Sequence, residues 1–148
     1  MSRRLAVTLA VTGLLGAAVA PALAAPPKPI TGKHDATAPV PDPTPVSGQT
    51  GGNCSPTLAQ AKHEAPVNLP SAGTFQVDLK GFQGDWALAV LNSKGQKLGD
   101  SDQGTGEPLD RPEKVKIKVK AKGKYVIRAC NFAGGPTAKV TWIFTPSK

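Results

Sequence analysis

Between Phe75 and Phe144 the chain alternates apolar and polar side chains with a period of two. Successive strand residues point to opposite faces, so this pattern makes one wet face and one dry face that another sheet must cover. Phe75, Val77 and Leu79 alternate with Gln76, Asp78 and Lys80, and Val115, Ile117 and Val119 alternate with Lys114, Lys116, Lys118 and Lys120. Tyr125, Ile127 and Ala129 are opposed by Val126, Arg128 and Cys130, and Ala138, Val140, Trp142 and Phe144 follow before Pro146. Trp86, Leu88 and Val90 share a face while Ala87, Ala89 and Leu91 share the other, as expected of a strand deep in a sandwich. The turn Asn92-Ser93-Lys94-Gly95 offers Gly95 for positive φ. Short strands set off by Gly- and Pro-bearing turns predict an all-β, antiparallel β-sandwich. The one helix-compatible stretch, Thr57 to Glu64, ends before Pro66.

What precedes this region reads differently. Met1-Ser2-Arg3-Arg4, an apolar run from Leu5 to Ala20, and Ala22-Leu23-Ala24 make the pattern of a secretory signal peptide over residues 1–24, with cleavage near Ala25. The apolar run is interrupted by Thr8, Thr12, Gly13 and Gly16, and it is shorter than the roughly 20 residues that span a bilayer. No later segment is long and apolar enough to cross a membrane, so the mature chain is expected to be secreted and extracellular, or loosely held at the cell surface. Residues 25–53 are rich in Pro and poor in large apolar side chains, which predicts a disordered linker. The β-sandwich domain is then expected over residues 54–148.

The two cysteines, Cys54 and Cys130, both lie in the exported part. An even count in an oxidising compartment predicts a disulfide. Closing so long a loop stabilises a fold by roughly 4–5 kcal/mol in the chain-entropy model, a useful supplement for a small core.

Three strand segments carry a further signal. Gly73-Thr74-Phe75-Gln76-Val77-Asp78-Leu79, Gly84-Asp85-Trp86-Ala87-Leu88-Ala89-Val90-Leu91 and Ala121-Lys122-Gly123-Lys124-Tyr125-Val126-Ile127-Arg128 resemble the bacterial pre-peptidase C-terminal domain family. The resemblance spans roughly residues 66–145 and implies a jelly-roll-like sandwich acting as an accessory to secreted enzymes, here as a stand-alone member. The family commonly has an acidic residue where this chain has Ala87.

The residues argue against catalysis. His63 is the domain's one candidate base, Pro66 breaks any helix that a His-Glu metal motif would need, and no Gly-x-Ser-x-Gly elbow occurs. No cofactor is expected, with one calcium set to weigh. Asp100, Asp102, Glu107 and Asp110 gather oxygen ligands in one loop, but the EF-hand template fails at Thr105 and Arg111, and a polar surface loop explains the composition as well.

The most distinctive charges are Lys114, Lys116, Lys118, Lys120 and Lys122, a cationic stripe that Lys124 extends, in a domain with 14 Lys and Arg against 8 Asp and Glu. Such a stripe attracts polyanions or carbohydrate, such as a cell-wall polymer or polysaccharide. On an edge strand it also discourages sheet-to-sheet pairing. Aromatic rings are not interleaved with the lysines, which argues against nucleic acid. Trp86 and Trp142 fall on apolar strand faces and are expected in the core, and Tyr125 shares the face of Ile127. The sequence thus predicts a non-catalytic secreted interaction module whose partner is a polymer, a carbohydrate or another secreted protein.

Overall fold

The computed structural model describes residues 27–42, 54–102 and 111–147. The expected signal peptide lies outside these residues, as do positions 25, 26 and 43–53 of the expected linker and Glu107 and Asp110 of the calcium set. The described strands are β1 (Ile30–Thr37), β2 (Lys62–Leu69), β3 (Gly73–Lys80) and β4 (Gly84–Asn92), then β5 (Lys97–Ser101), β6 (Glu113–Val119), β7 (Gly123–Gly134) and β8 (Thr137–Pro146). They form two four-stranded antiparallel sheets, ordered β1-β8-β3-β6 and β2-β7-β4-β5. The alternation dictated this sandwich. Phe75, Val77 and Leu79 of β3 and Val140 and Phe144 of β8 bury one dry face, and Trp86, Leu88, Val90 and Ile127 bury the face opposite. Each such side chain taken from water contributes about 1.5–3 kcal/mol.

The reverse face of β4 is dry as well. Ala87, Ala89 and Leu91 pack with Cys54 and Cys130 in a second small cluster, and Val126 and Phe132 lean on it. Cys54 and Cys130 form the expected disulfide, with Cα atoms 5.5 Å apart and 76 residues of separation. Cys54 is thereby held against the outer side of the second sheet. Gly95 adopts φ 76° at the turn leading into β5, and its N–H donates to the Asn92 carbonyl at 3.0 Å.

One expectation needs correction. Residues 30–37 fall within the expected disordered linker, yet they form β1, fully paired with β8 from Ile30↔Phe144 to Thr37↔Thr137. The segment Ile30-Thr31-Gly32-Lys33-His34-Asp35-Ala36-Thr37 contains no proline, so all its backbone donors are available to the ladder. Its dry positions are small: Ala36 and Ala38 are buried, and a Cβ on Gly32 would lie 2.3 Å from the Trp142 ring. Glycine is required there by close approach. The sandwich therefore begins at Ile30, well before Cys54.

Thr57 to Glu64, the one helix-compatible stretch, holds little helix, as an all-β chain requires. A single 3-10 turn occupies Ala59–Ala61, and β2 starts at Lys62. Pro66 is tolerated because β2 is an edge strand, where a missing N–H disrupts least.

Asp42 explains how the chain returns from β1. Its buried carboxylate accepts the Thr57 N–H and hydroxyl at 2.6 Å each and the Leu58 N–H at 3.0 Å. The Asp42 N–H donates to the Asn131 carbonyl at 3.0 Å, and the Asn131 amide donates to the Ala38 carbonyl at 2.9 Å. The stretch after β1 is thus pinned to β7.

Candidate functional site

The outward positions of the first sheet form a grid whose rows follow from strand register. One row runs Thr145, Thr74, Lys118, and the next runs Thr31, Ile143, Gln76, Lys116. A third holds Lys33, Thr141, Asp78 and Lys114, and a fourth Asp35, Lys139 and Lys80. Neighbouring strands lie about 4.8 Å apart and successive outward positions about 6.6 Å apart, so the grid is a nearly continuous polar surface. Six lysines sit on it against two aspartates. They collect at the rims, on β6, on β1, and at the Lys80–Lys139 end. The centre is built from threonine, Gln76 and Ile143.

Lys114, Lys116 and Lys118 stand where the sequence placed them, exposed along β6. Lys114 Nζ is 3.7 Å from Asp78 Oδ1, an exposed pair of small energetic weight. Among the described residues, Lys116 and Lys118 have no carboxylate partner. The longer stripe does not hold together. Lys120 follows the end of β6, Lys122 lies in the bend before β7, and Lys124 belongs to the second sheet, opposite Asn68 of β2. Two-residue alternation cannot report where a strand stops and the chain crosses to the other sheet. Beneath the face, the inward-pointing Glu113 is buried and accepts a hydrogen bond from the Ser101 hydroxyl, which ties β6 to β5.

Between the lysine rim and the centre lies a shallow groove of about 290 Å³ lined by Thr74, Gln76, Lys116, Ile143 and Thr145. Gln76 Nε2 donates to Asp78 Oδ2 at 3.2 Å, which orients the amide along its strand. Ile143 is 44% exposed and supplies an apolar floor. Sequence reading missed Thr74, Gln76, Ile143 and Thr145. Each was legible as a wet-face position, but their adjacency to Lys116 depends on pairing between β3, β6 and β8, which are distant in sequence.

The other candidate residues are engaged elsewhere. Asp100 pairs with Lys97 at 3.0 Å, and among the described residues no three His, Cys, Asp or Glu side chains assemble into a metal-holding group. Asp85, half-buried on β4, has its carboxyl pushed above the usual range by desolvation and, secondarily, by the charge of Asp102. His63, the lone catalytic base the sequence offered, lies in β2, where its Nδ1 accepts the Thr37 N–H at 3.3 Å. Its ring stacks on His34 of β1, with centroids 5.6 Å apart, so the pair joins the two sheets at their edge. Burial, then the neighbouring His63, lower the His34 pKa below 6.5, while Asp35 opposes the shift.

Trp86, Tyr125 and Trp142 turn toward the core between the sheets. Trp86 is wholly buried and donates from Nε1 to the Gly135 carbonyl at 3.2 Å, and the buried Tyr125 donates from its hydroxyl to the Ala121 carbonyl at 2.9 Å. Trp142 is on the dry side of β8 as expected but only half-buried, edge-on to Phe75 and covering Gly32. Among the described residues, no helix is long and apolar enough to cross a membrane.

No family model and no curated protein matches the chain. Solved structures with a similar course include a mitogen from Yersinia pseudotuberculosis, 12% identical over 82% of this chain and 88% of that one, with a TM-score of 0.41. They also include a carbohydrate-binding module of lichenase 5A from Cellvibrio mixtus, solved with cellotriose. It is 20% identical over 56% of this chain and 65% of that one, with a TM-score of 0.32.

Proposed function

We propose that this is a non-catalytic interaction module, exported from the cell, that holds anionic polymers on the outer face of its first sheet. The cell-wall polymers and acidic polysaccharides of the extracellular space are the partners that such a face suits. The observation that carries the reading is the placement of the lysines. Edge protection accounts for Lys114, Lys116 and Lys118 on β6. It does not account for Lys80 and Lys139, which lie on the central strands β3 and β8 and face the same way. A shared cationic face on a rigid sheet raises the local concentration of polyanions and steers them in. The disulfide fits an oxidising compartment, and the signal-peptide pattern supplies the route to it. The likeness of three strand segments to pre-peptidase C-terminal domains belongs to the same proposal, with the chain acting as a free-standing accessory module.

Retention on an immobilised heparin or cell-wall column tests this. Replacing two lysines near an anionic surface removes about 1 kcal/mol each, so Lys116→Ser with Lys118→Ser should weaken binding roughly tenfold or more. Binding of the unmodified chain should also fall steeply with added salt. Retention indifferent to both changes contradicts the proposal.

A further inference from the structure

The charged rim explains attraction to any polyanion, but the centre of the face carries a different chemistry. Thr74 and Thr145 are register partners, and Gln76 pairs with Ile143 on one side and Lys116 on the other. Among the described residues, the hydroxyls of Thr74 and Thr145 make no side-chain hydrogen bond, and Gln76 uses only its amide nitrogen, toward Asp78. The groove thus offers two hydroxyls, each donor and acceptor, a free amide oxygen and one ammonium group, around the exposed Ile143. A polyphosphate needs only the ammonium groups. Neutral donors and acceptors beside an apolar floor match a ring that bears both hydroxyl groups and C–H faces, and that ring is a sugar.

We infer that the groove of Thr74, Gln76, Lys116, Ile143 and Thr145 is a sugar subsite, making the preferred ligand an acidic polysaccharide whose carboxylate or sulfate groups meet Lys116 and Lys118. The inference rests on the reading of this face as a polyanion-binding surface and narrows it to one ligand class. A single-stranded nucleic acid is disfavoured because its bases stack on exposed aromatic side chains, and Phe75, Phe144 and Trp142 all lie on the dry side of the sheet. Sugar hydroxyls bound among side-chain hydroxyls and amides exchange hydrogen bonds with water at small net gain per bond. Selectivity is therefore expected to be modest, and the lysines supply most of the affinity.

The test compares the whole chain with the double variant Thr74→Val, Thr145→Val, which keeps side-chain shape and β-branching while removing both hydroxyls. Each is titrated at fixed low salt with a polyuronate, with heparin, with polyphosphate and with a single-stranded oligonucleotide, and thermal melting checks that the variant folds. Two lost hydrogen bonds should weaken glycan binding about tenfold and leave polyphosphate binding unchanged. The polyuronate and heparin arms tell carboxylate from sulfate recognition, and a loss in either supports the subsite. Equal losses for glycan and polyphosphate, no loss for either glycan, or an oligonucleotide that binds as tightly as the glycans overturns it. Failure of every polymer to bind the unmodified chain would instead remove the underlying reading of the face.

Discussion

Asp42 shows how one buried side chain turns an apparently structureless stretch into part of the fold. As a residue among prolines, with its charge balanced by nearby lysines, it looks like solvated linker. In the folded chain its carboxylate is 1% exposed and receives three hydrogen bonds from Thr57 and Leu58. Truncation to Ala leaves those donors without their charged acceptor, so Asp42→Ala should cost about 2–3 kcal/mol in chemical denaturation. A cost below about 0.5 kcal/mol, the range of ordinary surface substitutions, would show that the cap contributes nothing. Gly32 makes the same point through space. The Trp142 ring occupies the place where a Cβ would sit. Gly32→Val should therefore unseat β1, lowering the melting temperature and raising the fluorescence sensitivity of Trp142 to an added quencher. An unchanged quenching profile would mean that the ring does not lie over β1.

The strands most visible in the sequence were those with large alternating side chains. β3, β4, β6, β7 and β8 were all legible because Phe, Trp, Leu, Ile and Val mark their dry faces. β1 escaped because its dry positions are Gly32, His34 and Ala36, which carry almost no hydrophobic signal, and its stability derives from partners 100 or more residues away. β2 escaped because Pro66 reads as a breaker unless the strand is known to be an edge. These two hidden strands meet through His34 and His63, and the burial of His34 there, with His63 beside it, should make the sandwich acid-sensitive. The groups around His34 are His63 on β2, Asp35 and Lys33 beside it on β1, and Lys139 on β8. The His34 pKa is lowered in the folded chain from 6.5, so between the folded and unfolded values the unfolded chain binds more protons. Stability then rises with pH: the contribution is full above about pH 6.5 and is lost as the pH falls through the folded value. Melting temperatures measured from about pH 8 down to about pH 5 should decline, and His34→Gln should flatten part of that decline. A variant that melts in parallel with the parent chain at every pH would contradict the coupling.

At the scale of the molecule, the two sheets differ in what covers them. The outer side of the second sheet is partly closed by the chain at Cys54, fixed by the disulfide to Cys130 and by Arg128, whose guanidinium donates to the Cys54 carbonyl at 3.2 Å and to Glu64 at 2.7 Å. Among the described residues, the outer side of the first sheet is open and carries Lys33, Lys80, Lys114, Lys116, Lys118 and Lys139. Lys114, Lys116 and Lys118 were readable from sequence because charge alternation along one strand is local. Their threonine and glutamine neighbours were not, since a sheet face is assembled from strands that the chain order keeps apart. Whether this open face is the working surface is most directly measured by amide chemical shifts of the labelled chain during titration with an acidic polysaccharide. Shifts should concentrate at Thr74, Gln76, Lys116, Lys118, Ile143 and Thr145, with quiet amides at Lys62, Asn68 and Lys124 on the second sheet. Shifts centred on the second sheet, or spread evenly over both, would contradict a working role for this face.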